Sequence, residues 1–175
     1  MAAPSAKISV FAGPEFACVR VAGRANFNFG PDLKALLGEL GRTEQKRFIL
    51  DLSDCVLMDS TFLGLLAEFG MKISRDAAGS GRRVELLNPN ARLTELLENL
   101  GVLGLFKVTT GTLELPPETE SRALDSTGPT REDITRTCLQ AHQTLMAAHP
   151  DNVARFKDVA QFLAENLKKP REKSP

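Results

Sequence analysis

Apolar positions between residues 48 and 73 change their spacing from that of a strand to that of a helix. The nearly unbroken apolar run Phe48–Leu52 predicts a central strand that is covered on both faces. The apolar residues that follow recur three or four positions apart, as on one face of a helix: Phe62, Leu66, Phe69 and Ile73. A short loop that contains Cys55 is predicted to join the two elements. Asp59-Ser60-Thr61 is therefore predicted to lie at the N-terminus of a helix.

Strands and helices are predicted to alternate from residue 7 to residue 109. Further strands are expected at residues 7–11, 16–23, 84–87 and 105–109, and further helices at residues 31–41 and 93–100. The order β-β-α-β-α-β-α-β predicts an α/β domain with mostly parallel crossovers. Nine residues with matching periodicity form the predicted core: Leu36, Ile49, Leu50, Leu65, Leu66, Phe69, Leu86, Leu97 and Leu100.

The chain after the α/β domain has a different organisation. The domain is expected to occupy residues 1–112, and residues 113–129, rich in Pro and Glu, are predicted to be a partly extended linker. Residues 130–168 carry two apolar stripes at helical spacing and predict a helical hairpin, which a basic tail at residues 169–175 follows. Either the hairpin packs against the α/β domain, or it serves for homodimerisation or partner docking.

Two histidines of the predicted hairpin raise the question of a metal site. His142 and His149 are seven residues apart and could share a helix face. No Cys or carboxylate completes a ligand set at suitable spacing, so no metal site is predicted.

Charge and composition restrict the classes of function. The 175 residues contain 22 basic and 22 acidic side chains, and this balance argues against direct binding of nucleic acid. No segment has the apolar length of a membrane span, and the first seven residues lack the apolar core of a secretory signal. The protein is therefore expected to be cytoplasmic. Its scattered cysteines, Cys18, Cys55 and Cys138, are expected to be free thiols.

Asp59-Ser60-Thr61 presents two hydroxyl groups at a predicted helix N-terminus, where free N–H groups and the helix dipole favour an anion. These residue types are also common helix caps, so the triplet by itself has a purely structural interpretation. For Asp59 two interpretations stay open. It is a capping carboxylate, or it orients the Ser60 hydroxyl and repels a phosphate placed beside it.

The segment from Phe16 to about Thr110 resembles a STAS domain, the fold of bacterial anti-anti-sigma factors, over a little more than half of the chain. Four stretches carry the resemblance: Val19-Arg20-Val21-Ala22-Gly23, Ile49-Leu50-Asp51-Leu52, Met58-Asp59-Ser60-Thr61-Phe62-Leu63-Gly64 and Leu100-Gly101-Val102-Leu103-Gly104-Leu105-Phe106. The resemblance implies an α/β fold in which helices pack mainly on one face of a mixed sheet. The C-terminal helical hairpin would be an addition to it.

In this family the signature turn usually reads M-D-S-S-G-L-G, and its first serine is phosphorylated by a partner kinase that is also the anti-sigma factor. Ser60 stands at that position and is the implied phosphorylation site, with Thr61 as a secondary site. The implied partners are such a serine kinase and a cognate phosphatase. The residues implied to bind a partner are Asn26, Asp59, Ser60, Thr61, Phe62 and Leu63.

Two hypotheses of function follow, and both stay open. The first is an anti-sigma factor antagonist whose phosphorylation at Ser60 switches its partner. The second is a non-phosphorylated STAS adaptor subunit of a larger assembly such as a lipid transporter. Ser60 and Thr61 favour the first; Phe62, where the family usually has glycine, and Asn26, where it usually has aspartate, favour the second. An enzyme is not expected, since the chain shows no phosphate-cradling glycine loop and no Cys-His pair at useful spacing; no cofactor is implied.

Overall fold

Seven strands form one mixed sheet within residues 6–169, the part of the chain that the computed structural model describes. The strands are β1 (Lys7–Ala12), β2 (Phe16–Ala25), β3 (Arg47–Asp51), β4 (Cys55–Met58), β5 (Arg83–Leu87), β6 (Lys107–Thr109) and β7 (Glu120–Ala123). The helices of the same residues are α1 (Gly30–Gly41), α2 (Ser60–Asp76), α3 (Ala91–Asn99), α4 (Arg131–Ala148) and α5 (Asp151–Lys168). Single turns of 3-10 helix lie at Phe27–Phe29 and Leu103–Leu105. The predicted α/β class, the mixed sheet and the C-terminal helical hairpin are confirmed.

The sheet combines an antiparallel edge with a parallel centre. Its order is β6-β5-β3-β2-β1-β7, and β4 pairs with β2 outside this path. β1 and β2 form an antiparallel hairpin, whereas β2, β3, β5 and β6 run parallel and are connected through helices. This arrangement places the carboxyl ends of β2 and β4 side by side, directly before α2.

The main hydrophobic core lies between the sheet and its helices. It includes apolar side chains of α1, α2, α3 and α4 together with alternate residues of the strands. Phe48 and Leu50 of β3 point into it, and the ring of Phe48 meets the edge of Phe69 at 5.3 Å between centroids. Eight of the nine predicted core residues belong to this core.

Ile49 is the exception, because alternate residues of a strand point to opposite faces. It is buried, but it belongs to a second, smaller cluster with Cys18 and Leu87. Charged side chains flank that cluster: Arg20 binds Asp51 with 2.9 Å between Nε and Oδ2, and Arg47 binds the buried Glu85. The prediction of a single core is therefore wrong for Ile49, and the second face of the central strand is partly ionic.

Residues 55–58 form a strand, so the prediction of a loop around Cys55 is wrong. β2 is ten residues long, and β3 pairs only with its first half. β4 pairs with the second half, from Gly23 to Ala25, and thereby satisfies backbone groups that would otherwise lack a partner. The predicted strand at residues 105–109 is likewise shorter, since it begins at Lys107 after a 3-10 turn.

The predicted linker, residues 113–129, is attached to the domain at two places. Its strand β7 pairs with β1 at the edge of the sheet. Farther along, the Thr127 hydroxyl donates to Asp32 at 2.6 Å, and Asp32 is a buried residue in the first turn of α1. Beyond the linker, all of the predicted basic tail except Lys169 lies outside the described residues.

The hairpin of α4 and α5 packs on the α/β domain within the same chain. α4 lies against α2 and α1, and its Ala141 and Leu145 are part of the main core. Gly64 allows the close approach, because a Cβ there would lie 2.5 Å from the carbonyl oxygen of Ala141. At the turn, the buried Asn152 donates to the carbonyl oxygens of Leu100 and Leu145 at 2.9 and 2.8 Å.

Candidate functional site

The N-terminus of α2 is built on the end of β4. Asp59 is the N-cap: its Oδ1 accepts a hydrogen bond from the backbone N–H of Phe62 at 2.9 Å. Its Oδ2 accepts another from the N–H of Phe27 at 2.7 Å, so the same carboxylate attaches the segment after β2 to α2. Burial raises the pKa of the Asp59 carboxyl above its usual value, and these two hydrogen bonds offset part of the rise. The capping interpretation of Asp59 agrees with this geometry.

Ser60, the first residue of α2, is partly exposed, and its hydroxyl has a partner on α4. Its Oγ lies 2.8 Å from Nε2 of His142, a residue that is only 6% exposed. The other ring nitrogen, Nδ1, lies 2.6 Å from the carbonyl oxygen of Cys138. Because a carbonyl oxygen only accepts, Nδ1 carries a proton. In the neutral ring Nε2 then accepts the proton of the Ser60 hydroxyl.

A cleft of about 1280 Å³ opens in front of Ser60, between the start of α2 and the α4–α5 hairpin. Asp59, Ser60 and His142 contribute its polar side. Mostly apolar side chains of α4 and α5 line its walls: Ile134, Cys138, Val159, Leu163 and Leu167. Arg131 and Lys169 bring positive charge to the same cleft. A volume of this size exceeds that of a single small ligand group, so a modified Ser60 side chain has space to turn into it.

The structure separates the residues predicted to bind a partner into two groups. Asn26, Asp59 and Ser60 are partly exposed, and Asn26 caps the 3-10 turn after β2 by accepting from the N–H of Asn28. Thr61, Phe62 and Leu63 are buried in the folded chain, with exposed fractions of 3%, 0% and 2%. The first three residues therefore present surface to solvent, whereas the other three side chains contribute to packing.

A family model described as "Mlab, STAS domain" matches residues 11–109, more than half of the chain, and this range contains the whole signature turn. The chain belongs to the STAS domain family. The matched range contains the end of β1, the strands β2 to β6 and the helices α1 to α3, and the α4–α5 hairpin follows it in sequence.

Two solved structures of SpoIIAA are similar to this STAS chain. One is described as the anti-sigma factor antagonist in its unphosphorylated form, and the other as the Bacillus cell fate determinant in its phosphorylated form. Each is 18% identical to this chain, with a TM-score of 0.48 over 58% of this chain and 84% or 86% of the other. A likeness at this level carries no information on function. A search of curated proteins found no significant sequence match. Among the described residues, no helix is both long and apolar enough to cross a membrane.

His142 is the site residue that the sequence analysis does not assign. Its spacing from His149 suggests a shared face, but the two rings lie apart: His149 packs against Gly101 at the end of α3, while His142 lies at Ser60. Ser60 and His142 are 82 positions apart in the chain. No local pattern pairs residues at that distance, so only the docking of α4 on α2 reveals the contact.

Proposed function

We propose that this STAS protein is a cytoplasmic anti-sigma factor antagonist, a regulatory binding module that is switched by phosphorylation of Ser60. The observation that carries the proposal is the place of Ser60. Ser60 is a partly exposed residue, the first of α2 and directly after the Asp59 cap, and it lines a large cleft. The proposed partners are a serine kinase that acts as anti-sigma factor and a cognate phosphatase. Thr61 is a weaker candidate for modification because it is buried.

A phosphate on Ser60 would change the surface enough to act as a switch. It adds about −1.5 to −2 charges at neutral pH next to the carboxylate of Asp59, which is held in place by two backbone N–H groups. A tenfold loss of partner affinity requires only about 1.4 kcal/mol. One repulsive contact between the phosphate and an acidic or apolar partner surface supplies an effect of that size.

The Ser60–His142 hydrogen bond also resembles that of a nucleophile and its base, but the surroundings favour binding over acyl-transfer catalysis. Nδ1 of His142 binds a backbone carbonyl, where a triad would have a carboxylate. The Asp59 carboxylate already occupies the Phe62 N–H at the start of α2, a group that an oxyanion hole would need free. We therefore propose a binding module and not an enzyme.

A second candidate is a STAS adaptor that is never phosphorylated, such as a subunit of a lipid transporter. The observation that favours it is the engagement of the Ser60 hydroxyl by His142 under helix α4. The absence of a carboxylate at Asn26 agrees with it. Phe62 does not restrict access to Ser60, since its ring is buried in the core.

The experiment that separates the two candidates begins with phosphosite mapping of the protein isolated from its native cells. Wild type and the variants Ser60→Ala, Ser60→Asp and Thr61→Ala are then compared for recovery of a serine kinase from the same cells. We expect phosphate on Ser60, full recovery with Ser60→Ala, reduced recovery with Ser60→Asp, and an effect of Thr61→Ala smaller than that of Ser60→Asp. Equal recovery with all four proteins, together with an unmodified Ser60, would reject the switch and leave the adaptor.

A further inference from the structure

The hydrogen bond between Ser60 and His142 cannot persist unchanged once the hydroxyl is esterified. Phosphoserine has no side-chain hydroxyl proton to donate, so the lone pair of Nε2 would face the oxygens of a phosphate dianion, which only accept. Nδ1 is held as a donor by the carbonyl oxygen of Cys138, at 2.6 Å, and cannot exchange roles with Nε2. Protonation of Nε2 resolves the conflict. The imidazolium then donates from Nδ1 to Cys138 and from Nε2 to the phosphate.

The charged groups around His142 bear on that protonation. Asp59, at the start of α2, is an acidic group of the same cleft. On α4, Glu132 lines the same cleft and forms an ion pair with Arg136 at 2.7 Å. Two basic residues also line the cleft, Arg131 on α4 and Lys169 just after α5. The ring of Phe156 on α5 contacts His142 edge-on and carries no charge. These side chains carry charges of both signs. A phosphate on Ser60 would carry more charge than any one of them, and its negative charge would favour the imidazolium form of His142.

α4 has contacts that keep His142 near Ser60 while the phosphate turns toward the cleft. Ala141 and Leu145, on either side of His142 in sequence, are buried in the main core with 0% exposure. The hydrogen bonds of Asn152 fix the far end of the helix. Hydrogen bonds between ionised groups are roughly twice as strong as neutral ones, so the pair gains attraction on phosphorylation.

We propose that His142 is an intramolecular receptor for a phosphomonoester on Ser60, so that phosphorylation replaces a neutral Ser–His hydrogen bond by an imidazolium–phosphate pair. The pair holds the α4–α5 hairpin more firmly against α2 and narrows access to the Ser60 surface. The biological role of this site rests on the proposed function, whereas its chemistry requires only a phosphate at position 60.

The test uses full-length protein in which phosphoserine is incorporated at position 60 during synthesis, so that no kinase is needed. Three backgrounds are compared with and without the phosphate: wild type, His142→Gln and His149→Gln. Glutamine at 142 keeps a hydrogen-bond donor but cannot take up a proton. His149 is the matched control, because it is the other histidine of the chain and lies at the end of α4, away from Ser60.

In wild type we expect the ¹⁵N shifts of the His142 ring to change from the neutral form with a proton on Nδ1 to the imidazolium at pH 7 when Ser60 carries phosphate. The ³¹P titration midpoint of phosphoserine, normally near pH 6, should lie about one unit lower in wild type and His149→Gln than in His142→Gln. Phosphorylation should slow amide exchange in α4 about tenfold in wild type and in His149→Gln, but not in His142→Gln. The factor of ten corresponds to the expected shift of one unit in the titration midpoint.

Identical ³¹P midpoints in wild type and His142→Gln would overturn the proposal, as would faster amide exchange in α4 on phosphorylation, which would mean that the phosphate expels the helix. Neither result depends on whether cells modify Ser60. An unmodified Ser60 in native cells would reject the proposed switch and leave the receptor chemistry standing, so the two failures are distinguishable.

Discussion

Gly64→Ala is the sharpest test of the α2–α4 contact, because the sign of its effect depends on whether α4 lies where the structure places it. In the interior of a free helix, alanine is more stable than glycine by about 0.8–1.0 kcal/mol. In this fold the added Cβ would lie 2.5 Å from the carbonyl oxygen and 2.9 Å from the Cβ of Ala141. Ordinary contact begins near 3.4 Å, so backbone has to move by most of an ångström.

The cost of such overpacking is about 1–3 kcal/mol, and it outweighs the gain in helix propensity when the obstacle is backbone. We therefore expect Gly64→Ala to lower the free energy of unfolding by up to about 2 kcal/mol, the overpacking cost less the gain in helix propensity. Gly38→Ala is the matched control: it replaces a glycine inside α1 whose Cβ would meet nothing within 4 Å. It should raise the free energy of unfolding by about 0.8–1.0 kcal/mol.

Chemical denaturation followed by circular dichroism measures both effects, and amide exchange shows where the loss occurs. In Gly64→Ala the protection of α4 should fall more than that of the strands, since the helix that moves is α4. Equal stabilisation by the two variants, with unchanged protection of α4, would refute the contact between α2 and α4. It would also remove the structural basis for placing His142 at Ser60.

Three further changes test the rest of the fold by denaturation. Leu50→Ala should cost about 2–5 kcal/mol, because it leaves a cavity in the main core, and a near-neutral result would contradict the place of β3 at its centre. Asn152→Ala should cost about 1–3 kcal/mol, since the carbonyl oxygens of Leu100 and Leu145 each lose a hydrogen bond from its buried amide. A change below the error of the measurement would argue against the packing of the α4–α5 turn on Leu100. Burial opposes ionisation of Asp51, but hydrogen bonds from Ser53 and Arg20 outweigh it and lower its pKa. The Asp51 carboxylate therefore stabilises the fold fully above its unfolded pKa of about 3.9, and this stabilisation is lost as the pH falls through its lower pKa in the folded state. Asp51→Asn should therefore make the free energy of unfolding fall less steeply with decreasing pH.

Local order along the chain was predictable because it depends on neighbouring residues. The switch from a strand period to a helix period around Ser60 places a capped helix N-terminus there, and the same logic bounds α1 and α3. The signature turn identifies the family for the same reason, since it is contiguous in sequence. The strand β4 was not predicted, because it pairs with the second half of β2, a strand that is distant in sequence.

Side-chain partners across the fold were decided only by the tertiary structure. Strand alternation puts Ile49 on the second face, although the apolar run alone does not distinguish it from Phe48 and Leu50. The apolar stripe of α4 predicts burial but does not name the surface that buries it. Gly64 permits the close crossing that brings His142 to Ser60. A contact between residues 82 positions apart depends on the packing of whole helices, so no local pattern in the sequence specifies it.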